Sequence, residues 1–308
     1  VVAPLASVSI DVDGIGCYYR IHALGPPPPH LRGRILERGV ARFLEALARR
    51  GIAATFFVVG QDALEASAAS LLGAAHRAGH ELASHSFTHP YELARLGERD
   101  VAGELDLADA ALRAITGAPI VGFRAPGYDL SPTMLRALVE RGYRYDSSIF
   151  AAPGYYVAKA AVMGLLAARR RPSGAVLTNP RALLAPPAPY RPALGAPWRR
   201  GDAPLVELPI AVTPGLRVPA IGTSLLLAPA PVRRALVASM ARRPHFNFEL
   251  HAIDLCDAEL DELPAELVAR QPDLRVPVAE KLARFDDVLA RLAEGWETLP
   301  LRDVATRY

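Results

Sequence analysis

Short apolar runs alternate along this chain with longer stretches whose apolar positions recur three and four residues apart. Leu5 to Ile10 reads as a strand, Ile35 to Arg49 as an amphipathic helix, Ala53 to Val59 as a strand and Leu64 to Ala78 as a helix. Further strands are predicted near Glu81 to Ser84, Ile120 to Phe123, Arg144 to Asp146, Leu205 to Leu208, Phe246 to Leu250 and Glu297 to Leu299. Further helices are predicted near Arg99 to Ile115, Pro132 to Arg141, Pro231 to Arg242 and Ala279 to Glu294. Such alternation builds βαβ units and a largely parallel sheet. Gly51, Gly79, Gly117 and Gly142 each stand where a helix should stop, and Ser131-Pro132 is an N-cap followed by proline at the first helical position. The unit recurs roughly seven times with no mid-chain linker, so a closed or nearly closed α/β barrel and an open doubly wound sheet both fit.

One stretch breaks the rhythm. From about 150 to 204 the chain runs through Pro153-Gly154-Tyr155-Tyr156, an apolar segment Ala158 to Ala168, the cluster Arg169-Arg170-Arg171, and a loop with seven prolines from Pro172 to Pro197. Loops of that length in a compact domain usually serve a function or are disordered, and this one is expected to be an insertion over one end of the barrel. The apolar segment is about half the length needed to cross a bilayer.

Composition narrows the class. With 308 residues, 51% of them apolar, and a mean hydropathy of +0.16, the chain can bury one large core, expected to span 1–308 as a single domain. Lys and Arg total 35 against 32 Asp and Glu, without a long basic block, so no nucleic-acid partner is expected. Cys17 and Cys256 make no disulfide framework, and a reducing, cytoplasmic compartment is the default, with a membrane-peripheral position left open. No signal peptide is visible at Val1 to Ile10, although the absence of an initial Met leaves a removed leader open. The oligomeric state is not legible.

The candidate chemistry lies at strand ends. Asp11 and Asp13, two apart in Ser9-Ile10-Asp11-Val12-Asp13-Gly14, point to the same side of an extended chain at a carboxyl end, where α/β proteins place ligands. His85 and His89, in His85-Ser86-Phe87-Thr88-His89, face one way if the segment makes a helical turn, and so can grip one metal ion. Two histidines and one carboxylate leave coordination positions open, as catalytic metal sites do, and serve hydrolases and non-haem iron oxygenases alike. The second carboxylate favours hydrolysis, which needs a base beside a metal-bound water. Three further polar clusters end strands: Phe123-Arg124-Ala125-Pro126-Gly127, Tyr145-Asp146-Ser147-Ser148 and Glu249-Leu250-His251. A nucleotide site is not indicated: Gly14-Ile15-Gly16 lacks a third glycine opening a helix, and no Walker-type Gly-Lys-Ser/Thr exists.

These five clusters, in this order, resemble the motifs of the polysaccharide deacetylases, carbohydrate esterase family four. The resemblance runs from Asp11 to His251 and implies a distorted barrel of about seven parallel β/α units. It implies that Asp11 is the catalytic base, that Asp13, His85 and His89 hold a divalent metal, and that His251 is the general acid. Arg124 would then orient the base, and Asp146 would tune the acid histidine. Zinc suits the ligands best, with cobalt, nickel, manganese or iron as other occupants. A backbone N–H near Gly127 would help hold the oxyanion.

The sequence also departs from the family pattern. Val12 separates the two aspartates, where most members have them adjacent. The spacing resembles a branch with lipid-linked formamido-arabinose deformylases, allantoinase-like cyclic-amide hydrolases and some peptidoglycan deacetylases. Gly127 stands where a Tyr is common and Ile149 where a Trp is common, which leaves the acyl group open. The leading expectation is N-deacetylation or N-deformylation of an amino-sugar amide, with lipid-linked substrates at a membrane surface included. The alternatives are hydrolysis of small cyclic amides such as ureides or imides, and a catalytically inactive carbohydrate-binding barrel. Tyr155, Tyr156, Tyr190 and Trp198 are candidates to stack on a sugar.

Overall fold

The first strand shows how the chain divides its residues. In β1 (Leu5–Val12), Ala6, Val8, Ile10 and Val12 belong to the main hydrophobic core, while the alternate residues Ser7, Ser9 and Asp11 are equally buried but polar. Period-two geometry sends the first row out toward the helices and the second into the middle of the sheet. The centre of the fold is therefore polar. The computed structural model describes residues 4–170 and 173–308.

Around β1 the sheet is parallel throughout. It comprises β2 (Thr55–Val58), β3 (Glu81–Ser84), β4 (Gly122–Phe123), β5 (Tyr145–Asp146), β6 (Val206–Glu207) and β7 (His245–His251), in the order β7-β1-β2-β3-β4-β5-β6. A short strand, Glu297–Thr298, pairs with Leu5 and Ala6. No ladder joins β6 to β7 among the described residues. The gap is bridged instead by Ala211 N–H donating to Asn247 O at 3.2 Å and by Asn247 Nδ2 donating to Leu208 O at 3.1 Å. The result is a curled, distorted barrel of seven parallel strands, so the open doubly wound alternative is set aside.

The predicted helices form α2 (Ala41–Arg50), α3 (Ala66–Arg77), α4 (Glu98–Thr116), α5 (Pro132–Glu140) and the segments Ala230–Met240 and Val278–Gly295. Ser131 Oγ accepts the Met134 N–H, capping α5 as its sequence implied. A π-helical turn, Leu36–Val40, leads into α2, and there Gly39 permits a close approach: a Cβ would lie 2.2 Å from Ala252 O, beside the end of β7. Phe285 of the last long helix packs edge-on to Phe43 of α2 and also touches Phe248 of β7, which ties the helix layer to the strand that ends in His251. A short helix, α1 (Ile15–Ile21), follows β1 directly. At seven residues it is too short to show a helical period.

The 150–204 excursion has structure of its own: α6 (Pro153–Ala168), a 3₁₀ turn at Pro180–Leu184 and a small antiparallel hairpin, Pro192–Ala193 with Ala196–Arg200. Arg171 and Pro172 lie outside the described residues. Tyr190 and Trp198 are buried in this excursion, with the Tyr190 hydroxyl donating to Pro197 O at 2.6 Å, so they pack the protein and are not available to a sugar.

Candidate active site

Register brings the aspartates and His251 together. Asp11 is the direct parallel neighbour of His251 across the β1–β7 ladder, at the carboxyl ends of both strands. On the other side Ser84 of β3 pairs with Phe123 of β4, so His85 and Arg124, the next residue of each, emerge side by side. The Nδ1 of His85 lies 2.7 Å from Arg124 O. A carbonyl can only accept, so Nδ1 carries the proton and Nε2 keeps a free lone pair.

Asp13, His85 and His89 form one buried cluster. Asp13 Oδ1 lies 3.5 Å from His85 Nε2 and 3.4 Å from His89 Nε2. The pentapeptide does not make the expected helical turn. It is an irregular loop in which Ser86 (φ 62°) and His89 (φ 57°) are left-handed, and that geometry, uncommon for side-chain-bearing residues, turns both rings to one point. The loop is pinned by Ser86 Oγ accepting His89 N–H at 3.1 Å. Glu104 of α4 accepts from Phe87 N–H, Thr88 N–H and the Thr88 hydroxyl at 2.9, 2.8 and 2.7 Å. From α1, Arg20 donates to Thr88 O at 3.1 Å.

Several polar atoms here have no hydrogen-bond partner among the described residues: Asp13 Oδ1, Asp11 Oδ2 and His89 Nδ1 are buried and unpaired. Burial pushes the His89 imidazole down to about 3 and lowers that of His85, so both rings are neutral at ordinary pH. Burial also raises the Asp13 carboxyl. Two neutral imidazoles with a buried carboxylate that lacks a donor suit a divalent cation, and their His/His/Asp chemistry suits zinc among others.

Asp11 is held differently. Its Oδ1 accepts from Arg124 Nη1 at 2.5 Å, while Oδ2 faces His85 Nε2 at 3.8 Å and His251 Nε2 at 4.0 Å. Burial alone would raise this carboxyl, but Arg124, with the charged form of His251, outweighs it and the net shift is downward. Arg124 is itself fully buried: Nε donates to Ser147 O at 2.9 Å, and Nη2 donates to Ser9 Oγ and Ser147 Oγ at 2.8 and 2.9 Å. Its guanidinium carbon stands 4.1 Å over the Phe57 ring. Asn247 completes this network by accepting from Ser9 and donating to Ser147.

The carboxylate beside His251 is Glu249, not Asp146. Glu249 Oε1 lies 3.1 Å from His251 Nδ1 and accepts the Tyr128 hydroxyl at 3.0 Å. Asp146 instead accepts from Ser148 N–H and Ser148 Oγ and is paired with buried Glu207, whose own carboxyl burial drives well up. Adjacent strands β5 and β6 place Asp146 opposite Glu207, away from the β7 end. The Tyr128 oxygen lies 3.2 Å from His251 Nε2. Because the tyrosine's proton goes to Glu249, both ring nitrogens of His251 face acceptors, an arrangement that suits imidazolium. Burial opposes the charge, but Glu249, Asp11 and Asp13 prevail and raise the imidazole well above its ordinary value. Consecutive left-handed residues, Gly127 (φ 69°) and Tyr128 (φ 62°), aim this ring, so Tyr128 supplies an aromatic wall that Gly127 lacks.

Glu249, Tyr128, Asn247, Ser9 and Glu104 had no role assigned from sequence. Period-two alternation does put Ser9 with Asp11, and Asn247 with Glu249 and His251, on shared sides of their strands. Nothing local marks Tyr128 or Glu104. A cavity of about 210 Å³ opens over the cluster, lined also by Tyr18, Tyr91, Tyr155, Lys159, Thr223 and Gln271.

A parallel α/β barrel with a buried histidine and carboxylate cluster at the carboxyl end of its strands has clear relatives. Residues 32–145, a stretch with His85, His89 and Arg124, match the family profile described as polysaccharide deacetylase. Over 94 residues, 30% of this chain, it is 28% identical to a bifunctional xylanase/deacetylase of Pseudobutyrivibrio xylanivorans, and the match spans only 15% of that relative's length. Among solved structures, an assigned polysaccharide deacetylase from Mycobacterium smegmatis superposes with a TM-score of 0.64 at 19% identity, covering 98% of this chain and 89% of the other. Another, from Pseudomonas aeruginosa PAO1, gives 0.59 at 17% identity, covering 99% and 90%. At such identities these two share the fold.

Proposed function

We propose that this protein is a metal-dependent hydrolase of a C–N amide bond that removes an acetyl or formyl group from an amino sugar. Asp13, His85 and His89 would hold the divalent metal, most suitably zinc, which when bound supplies Lewis acidity toward the carbonyl and acidifies water. Asp11 is the base: Arg124 keeps it ionised through Oδ1, leaving Oδ2 free to take the proton of the attacking water. His251 is the acid, giving a proton from Nε2 to the departing amine as the C–N bond breaks. Glu249 is the positioning residue that holds the ring and stabilises its charged form. Asp146 acts on the neighbouring loop through Ser148 and does not tune the acid.

The observation that carries this reading is the two-sided environment of Asp11. One oxygen is fixed by a buried arginine, and the other lies unpaired between the histidine cluster and His251. Asp11→Asn is expected to lower turnover on N-acetyl and N-formyl amino sugars by about 10²- to 10⁴-fold while metal content, measured by elemental analysis, stays unchanged. Near-normal turnover in that variant would show that Asp11 is not the base.

A further inference from the structure

The excursion that follows Ser148 has a charge and exposure pattern unlike the rest of the molecule. Residues 150–204 contain one lysine and seven arginines against a single acidic residue, Asp202, whereas the remaining positions hold 27 basic against 31 acidic residues. Within this excursion α6 has no buried residue at all. Tyr156, Lys159, Ala160, Met163 and Leu166 lie half-buried, spaced as one helical face that leans on the barrel. The opposite face, where a surface helix ordinarily carries its charges, presents Val157, Val162 and Leu165 at 65%, 57% and 51% exposure.

The apolar surface continues beyond the helix. Leu183 lines a small cavity with Tyr155, Tyr156 and Lys159 of α6, and its neighbour Leu184 is 80% exposed. Arg217 donates to Leu183 O at 2.6 Å, which ties this turn to the 211–221 segment. Arg169 and Arg170 are exposed at the carboxyl end of α6. Tyr155 and Lys159 from this helix also line the cavity above Asp11 and Asp13, so the patch adjoins the site's mouth.

We propose that this face docks on an anionic lipid bilayer, with Val157, Val162, Leu165 and Leu184 entering the headgroup boundary and Arg169 and Arg170 meeting lipid phosphates. A purely electrostatic partner leaves the apolar side chains unexplained. A second copy docked face to face sets the exposed Arg169 and Arg170 against a copy of the same strongly basic segment. An anionic bilayer satisfies both terms, because apolar burial and attraction of basic side chains add. No described helix is long and apolar enough to cross a membrane, so the contact is with one leaflet. The proposal does not depend on the amide-hydrolase reading.

Sedimentation with vesicles tests it. The full chain should pellet with phosphatidylcholine vesicles containing about one-third phosphatidylglycerol and remain soluble with phosphatidylcholine alone, and binding to the anionic vesicles should fall at least tenfold in 0.5 M salt. The double variant V162E/L165E, at exposed positions outside the catalytic cluster, should lose binding about tenfold or more, and R169E/R170E several-fold. Circular dichroism confirms that both variants fold. Failure of the parent protein to pellet with anionic vesicles, or equal retention of parent and both variants, overturns the proposal. So does a concentration-dependent dimer that V162E/L165E dissolves while vesicles are not bound.

Discussion

The barrel mouth and the 150–204 excursion both rely on arginine, and they use it in opposite ways. At the mouth, Arg124 is fully buried with its nitrogens committed to Asp11, Ser9 and Ser147. On the excursion, Arg169 and Arg170 are exposed beside an apolar helix face. A buried guanidinium survives only where its donors are matched, and it then fixes geometry to within a bond length. An exposed one is screened and interchangeable, and contributes only to the field around it. The site should therefore be intolerant of single changes, and the excursion should respond to total charge and apolar area.

The sharpest break in that contrast is Arg124→Met. It leaves Asp11 buried without its partner, and the unfolding free energy in urea should fall by about 3–5 kcal/mol, with turnover lost. Arg124→Lys should not restore turnover, because a single ammonium cannot reach Asp11, Ser9 and Ser147 together. A stability loss below about 0.5 kcal/mol would mean that the network is not built around Arg124.

A smaller effect is expected from Glu249→Gln. Glu249 favours charged His251, so its removal lets the imidazolium lose its proton at lower pH. The alkaline limb of the kcat–pH profile should move down, and kcat at neutral pH should fall roughly 10- to 100-fold. Asp146→Asn should leave that limb in place, since Asp146 faces Ser148 and Glu207. Movement of the limb in Asp146→Asn alone would return the tuning role to Asp146.

The smallest effect sharpens the other side. Val162 and Leu165 are more than half exposed, so V162E/L165E should change unfolding free energy by no more than about 0.5 kcal/mol in urea. A larger loss would indicate that α6 packs against the barrel more tightly than its exposure allows.

Much of the frame was legible in the chain itself. The eight strands of the main sheet and the six long helices outside the 150–204 excursion follow from period and punctuation, because alternation and capping are local properties that each segment expresses alone. Asp11 on β1 and Asp13 just past its end, the pair His85 and His89, and Arg124 just past β4 could be named for the same reason: each belongs to a short cluster at a strand end. What tertiary structure decided was pairing. Ser9 meets Asn247 across 238 positions of sequence, and Tyr128 meets Glu249 across 121, contacts set by the β1–β7 register and by two left-handed residues. Likewise, Asp146 is removed from His251 by its place on β5 beside Glu207, whereas Glu249 reaches His251 from two residues away on the same strand. Linear spacing carries the identity and direction of a side chain along its own strand. Which side chain lies opposite is fixed only when the strands close around a shared polar interior.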